Sequence, residues 1–291
     1  MTPAVDIAFR GPFMLAESIF WDADDGALWW VDIRAPSVER WAPGSGAHRR
    51  WTMPASVGSI VPRARGGMIA GLQTGFHFFD PVTGALDPIA APERHLPKNR
   101  PNDARCDRAG RYWCGTMEDF GQNAAGTLYR MVPGGLPEPV DGPFFVPNGT
   151  SFSPDGKVMT FTDTRQGDIL AFGHDDATGS RGPARVLLPA GAAPGHPDGA
   201  AMDAEGCLWS TRYGGSAVVR VTPDGRIDRT VALPASQPTC CAFGGSGLDE
   251  LYVTTAAQRL TPAQLACEPG SGHILVLRPG VRGLPESRFA G

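Results

Sequence analysis

Four stretches of this chain open on a polar residue and then follow a single plan. From Asn102 a short β-prone segment runs to Asp107, the chain turns from Asp107 to Gly110, and it returns along the aromatic strand Tyr112 to Thr116. Glu17 leads to Asp22, a turn at Asp24-Asp25-Gly26 and the strand Leu28 to Asp32. Asp198 leads to Asp203, a turn ending at Gly206 and the strand Leu208 to Thr211. In all three the second acidic residue lies five positions after the opening one. Asn148 heads a fourth copy, with Ser153 at the same offset, Pro154-Asp155-Gly156 as the turn and Val158 to Asp163 as the return strand. Two further hairpins, around Gly58 to Leu72 and Pro238 to Thr255, keep the strands but lack an acidic or amide opening residue.

A third apolar strand follows each hairpin: Ser37 to Trp41, Gly75 to Phe79, Gly126 to Met131, Asp168 to Phe172, Ser216 to Val221 and His273 to Leu277. Most units add a weaker fourth, such as Arg49 to Thr52, Ala184 to Leu188 and Ile227 to Val231. The landmarks Asn102, Asn148, Asp198 and Pro238 are 46, 50 and 40 residues apart. Four strands repeated at that interval predict an all-β chain, a six-bladed β-propeller with four antiparallel strands per blade, spanning residues 1–291 as a single domain. The last unit runs out of chain after Leu277 while the first has a spare strand at Val5 to Phe9, so the N-terminal strand is expected to complete the last blade and close the ring. A short helix is expected at Thr261 to Glu268, with Thr as cap, Pro in the first turn and Pro269-Gly270 as stop, covering an end of the ring.

Composition agrees and narrows the partners. Gly 38 and Pro 28, with only 19% charged residues, suit tight turns and short strands over long solvated helices. A net charge of −4 offers no basic field for a polyanion, so neither nucleic acid nor an anionic membrane is expected as a partner. No apolar run reaches the roughly 18 residues of a membrane span, and Asp6 and Arg10 break the order of a secretory leader, so a cytoplasmic location is expected. The six cysteines contain no C-x-x-C pair and read as reduced, buried thiols. Oligomeric state has no signature.

In a propeller the innermost strand of each blade lines the central channel, so residues at equivalent strand starts form a ring at one mouth. Glu17, Asn102, Asn148 and Asp198 thereby meet from four blades as two carboxylates and two amides. Any one of them alone would read as a turn residue, and Asn148-Gly149 resembles a type I′ turn. Four in register, each followed by a strand, predict an all-oxygen cage for a divalent cation, suiting calcium, magnesium or manganese better than structural zinc. By strand alternation Asp103 is expected to point away from the channel, and His196 to be solvent-exposed on the rim.

With these residues in view the chain resembles the SMP-30/gluconolactonase family, which includes regucalcin and the bacterial sugar lactonases. The likeness is carried over nearly the whole length by Glu17 with Trp29-Trp30-Val31-Asp32-Ile33, Asn99-Arg100-Pro101-Asn102-Asp103 with Gly115-Thr116-Met117, Asn148-Gly149 with Ser153-Pro154-Asp155-Gly156-Lys157, Pro197-Asp198-Gly199, and Pro238-Thr239-Cys240-Cys241-Ala242-Phe243-Gly244-Gly245. The resemblance implies one catalytic divalent metal ion (calcium, manganese, magnesium or zinc) held by Glu17, Asn148 and Asp198, with Arg100 and Asn102 on the substrate. It also implies hydrolysis of a sugar lactone to the aldonic acid. Some members bind sugar hydroxyls through an acidic residue shortly after Gly-Thr-Met; Glu118 is assigned that role here, with Asp119 as the alternative. The family's glutamate usually lies in Gly-Glu-Gly-Pro, whereas this chain has Ala16-Glu17-Ser18-Ile19, which puts in question how the backbone packs there.

On this reading Asp198 is the catalytic residue, orienting or deprotonating the attacking water, while Arg100 offers a planar fork of donors to sugar oxygens. Two competing readings are a calcium-dependent phosphotriesterase of the diisopropylfluorophosphatase kind and a non-enzymatic calcium-binding propeller. The run Arg100-Pro101-Asn102-Asp103 favours the lactonase.

Overall fold

A computed structural model describes residues 3–291. Its strands fall into six four-stranded antiparallel sheets arranged as the blades of a propeller. The inner strands are Ala16–Asp22, Val57–Pro62, Asn99–Cys106, Pro147–Phe152, His196–Met202 and Pro238–Gly244. The third strands Gly75–Phe79 and Gly126–Met131 and the return strand Val158–Asp163 have the predicted bounds. In blade six the strand Val5–Phe9 pairs antiparallel with Ile274–Leu277, so the ring closes through the N-terminal strand as expected.

Blades stick to one another through apolar side chains that alternate along the strands. Between blades one and two, Trp29, Val31, Val38 and Trp51 pack with Val57, Ile60, Met68 and Phe79, and the other interfaces repeat the pattern. Fully burying side chains of this size stabilises the ring by roughly 1.5–3 kcal/mol each. Five cysteines are buried and all six are free, with Cys267 the exposed one. Among the described residues no helix is long and apolar enough to cross a membrane.

The second acidic residue of each repeat belongs to the far end of its blade. Asp107 Oδ2 accepts from Trp113 Nε1 at 3.0 Å and Asp203 Oδ2 from Trp209 Nε1 at 3.0 Å, while their Oδ1 atoms accept backbone N–H groups of the turn. The offset of five is therefore the length of the inner strand between the two mouths.

At that far end the C-terminal segment crosses the channel. Its backbone pairs with Ala204, Pro62, Ala64 and Gly110, and Phe289 inserts into the core between blades two and three. Above it Arg105 spans the channel, donating to Glu286 Oε2 at 2.9 Å and to the carbonyls of Cys241 and Ala200 on two other blades. The channel thus opens at one mouth only. The expected helix forms at Pro262–Cys267 with a reciprocal Thr261–Gln264 capping box, and none of its residues is buried.

Candidate metal centre at the open channel mouth

Every inner strand loses register at the same place. The breaks fall after Glu17, Val57, Pro101, Asn148, Pro197 and Pro238, each a local bulge in the pairing with the next strand. A bulge re-aims side chains that strict alternation would send into the blade. Glu17, Asn102, Asn148 and Asp198 all lie at or beside these bulges and are buried, within the strand rather than at its start for Asn102, the fourth residue of Asn99–Cys106.

The bulge also overturns the expectation for Asp103. Its Oδ2 accepts from the Thr150 N–H of the neighbouring blade at 2.9 Å, and its charge is felt at both Glu17 and Asp198, so it faces the channel. Alternation fails because two successive residues, Asn102 and Asp103, share the bulge.

At Glu17 the expected close backbone packing is kept by other means. Ser18 adopts φ +52°, a left-handed conformation that favours glycine, and its hydroxyl accepts from Ile60 N at 2.9 Å and donates to Ile60 O at 3.2 Å. The side chain staples blade one to blade two. Next along the ring, a Cβ on Gly58 would lie 1.9 Å from Pro101 O, so only glycine lets the Asn102 strand approach.

The electrostatics of the four residues call for a cation. Burial pushes the carboxyls of Glu17 and Asp198 well above the usual range, and the charge of Asp198 raises Glu17 further. Asp198 Oδ1 is buried without a hydrogen-bond partner. Asn102 Nδ2 donates to Asn148 Oδ1 at 2.9 Å and to Pro147 O at 3.0 Å, and Asn148 Nδ2 donates to Thr164 Oγ1 at 2.8 Å. These bonds turn the Asn148 carbonyl inward with a lone pair to spare. Among the described residues no three His, Cys, Asp or Glu converge as a metal site, so an amide oxygen must complete any cage. Two buried carboxylates, one of them with an orphaned oxygen, and an oriented amide fit a hard divalent cation.

Beside the cage, Arg100 is buried and its Nη1 donates to Asn102 Oδ1 at 2.7 Å. Its Nε donates to Asp119 Oδ1 at 2.9 Å. Asp119 is also gripped by Arg34 from blade one, through Nη1 to Oδ2 at 2.7 Å and Nη2 to Oδ1 at 2.8 Å. Burial alone would raise the Asp119 carboxyl, but the two guanidinium groups outweigh it and hold it below its ordinary value. Glu118 turns instead to Asn123, accepting from its backbone N–H at 3.2 Å and its Nδ2 at 2.9 Å. The Arg34–Asp119 clamp was invisible in the sequence, since 85 residues separate the partners and no motif marks Arg34. Tyr213 Oη donates to Gln237 Oε1 at 2.6 Å, and the charges of Asp198 and Glu17 reach it, which places it at the mouth; His196 is exposed.

The family model described as SMP-30/Gluconolactonase/LRE-like region matches residues 15–257. The 6-deoxy-6-sulfogluconolactonase of Pseudomonas putida is 32% identical, with 100% of each chain covered. The regucalcin of Oryctolagus cuniculus is 33% identical over 94% of each. Among solved structures, the regucalcin of Agrobacterium tumefaciens, described as a calcium-binding protein, superposes with a TM-score of 0.91 at 30% identity, covering 97% of both chains. From the inner-strand motifs to the whole ring, this chain belongs to the SMP-30/gluconolactonase family.

Proposed function

We propose that this protein hydrolyses a sugar lactone to the aldonic acid, with one divalent metal ion held by Glu17, Asn148 and Asp198. The observation that carries the reading is the unpartnered, buried Oδ1 of Asp198 beside the buried Glu17 carboxylate, at the open end of a channel closed at the other. The lactonase named among the relatives supports the reaction, and the calcium-binding description of the solved regucalcin supports the ion.

When bound, such an ion polarises the ester carbonyl and acidifies water, the chemistry that ring opening needs. The chain's own residues do the rest. Asp198 is the catalytic residue, its carboxylate orienting the attacking water and accepting its proton. Arg100 and Asn102 sit side by side where sugar oxygens would enter. Asn102 holds the Asn148 amide, and Arg100, braced by Asp119, presents its remaining N–H groups. Glu118 keeps one carboxylate oxygen clear of Asn123 and is the proposed rim contact for a sugar hydroxyl, Asp119 being committed to the two arginines.

The test follows acid release with a pH indicator. Chelator-stripped protein is offered gluconolactone, xylonolactone, arabinonolactone and galactonolactone, with calcium, manganese, magnesium or zinc restored in turn. Metal-dependent hydrolysis above the spontaneous rate is expected, falling by about 10²–10⁴-fold in Asp198→Ala. A folded, metal-loaded protein inert towards every lactone would sink the proposal and favour a binding role.

A further inference from the structure

Blade six brings no acidic or amide residue to the opening position of its inner strand, where Pro238 stands, but it carries an amide one residue earlier. Gln237 lies on the rim between the strand of Asp198 in blade five and that of Glu17 in blade one, and it is only 7% exposed. Its backbone is fixed. The Gln237 carbonyl accepts from Ala256 N at 2.9 Å, and the preceding Ser236 donates its N–H and hydroxyl to Glu268 Oε2 at 2.8 and 2.7 Å. In a ring of six, blade six faces blade three across the channel, so Gln237 stands opposite Arg100 and Asn102.

The direction of this amide is set by a relay that starts in blade one. Arg34 can only donate, so its Nε, 3.3 Å from Gln258 Oε1, fixes the Gln258 oxygen on that side and turns the NH2 group away. Gln258 then hydrogen-bonds the Tyr213 oxygen as a donor. With its oxygen accepting, Tyr213 gives its own proton to Gln237 Oε1 at 2.6 Å. Burial above all, with the charges of Asp198 and Glu17 behind it, raises this phenol above its ordinary value, so the proton stays on Tyr213. The relay has one sense and ends on the Gln237 NH2 group. That nitrogen carries two N–H donors and makes no hydrogen bond among the described residues, yet unlike Asp198 Oδ1 it is not sealed from solvent. Because its oxygen is taken by Tyr213, the amide adds nothing to the cation cage and has only donors to offer beside it.

Resting on the lactonase reading, we propose that Gln237 is a specificity-determining residue whose NH2 group donates to a hydroxyl on the lactone ring, across the mouth from Arg100. Tyr213 and Gln258 are positioning residues that keep those donors turned towards the substrate. A sugar lactone is then gripped from two opposite blades, and a lactone bare of hydroxyls leaves the buried donors unpaired.

The experiment takes the best hydrolysed of the four sugar lactones above and the hydroxyl-free ring of the same size, δ-valerolactone or γ-butyrolactone. Both are offered to metal-restored full-length protein and to its Gln237→Leu and Tyr213→Phe variants. Gln237→Leu should raise KM for the sugar lactone about tenfold with kcat within about twofold, and should move kcat/KM for the bare ring less than about twofold. Tyr213→Phe keeps the donors but releases the amide to turn, and should raise the same KM about threefold. Where the bare ring turns over too slowly to read, its inhibition constant against the sugar lactone replaces KM. An unchanged KM for the sugar lactone in Gln237→Leu, or in Tyr213→Phe should the first variant not fold, overturns the inference. So does a variant that slows both lactones alike, and in each case the lactonase reading stands. Hydrolysis of none of the four sugar lactones overturns both.

Discussion

At Asp198 an uncompensated charge costs stability in exchange for a site. Burial and the neighbouring acids raise its carboxyl and that of Glu17, so ionising both in metal-free protein is costly in a place that solvates neither. Removing one should help. Asp198→Asn is expected to raise the Tm of chelator-stripped protein by about 2–4 °C, and to lack the further rise expected when divalent metal is added to the wild type. A stripped variant that melts lower than stripped wild type would show that the pair is not destabilising. The opening residues themselves were legible because each heads a repeated unit. The Asp119 clamp was not, because charge-assisted bonds between blades depend on which loops the ring brings together.

Along the inner strands the decisive feature is the bulge, and the Glu17 strand shows how this chain makes it without the usual glycine. Ser18 accepts a left-handed backbone and returns two hydrogen bonds to Ile60. Ser18→Ala should lose both bonds and keep the strain, costing roughly 2 kcal/mol, whereas Ser18→Gly should recover about 1 kcal/mol of that by relieving it. Urea midpoints in the order wild type, glycine, alanine would bear this out, and alanine equal to wild type would show the staple idle. Strand positions and periods were readable from alternation and turn residues, but the bulges were not. A register break is settled by the partner strand and leaves no mark on the residue that makes it, which is why Asp103 was sent to the wrong side.

For the molecule as a whole, the ring is held by its two chain ends. Val5–Phe9 completes blade six, while the C-terminal segment lies across the far mouth with Phe289 buried and Glu286 paired to Arg105. Phe289→Ala should cost about 3–5 kcal/mol in unfolding free energy, yet leave lactone kinetics measured well below Tm unchanged, since it empties core at the end opposite the site. A loss of turnover at full folded population would tie the plug to the open mouth. The N-terminal closure followed from counting strands, one short at the end and one spare at the start. The plug had no such arithmetic, because a segment without periodicity shows its place only through what it covers.

The sequence by itself determined the number of blades, the strands within them and the closure, and it singled out four polar residues at equivalent places on inner strands, because repetition every 40 to 50 residues leaves one geometry in which every apolar face is buried. Tertiary structure alone decided that Asp103 faces the channel, that Arg34 and Arg100 share Asp119, that Glu118 turns to Asn123 and that the far mouth is closed. Local patterns constrain the hydrogen bonds and burial within a blade, whereas ion pairs between blades and bulges against a neighbour are settled only when distant segments are pressed together and each buried polar group must find its partner.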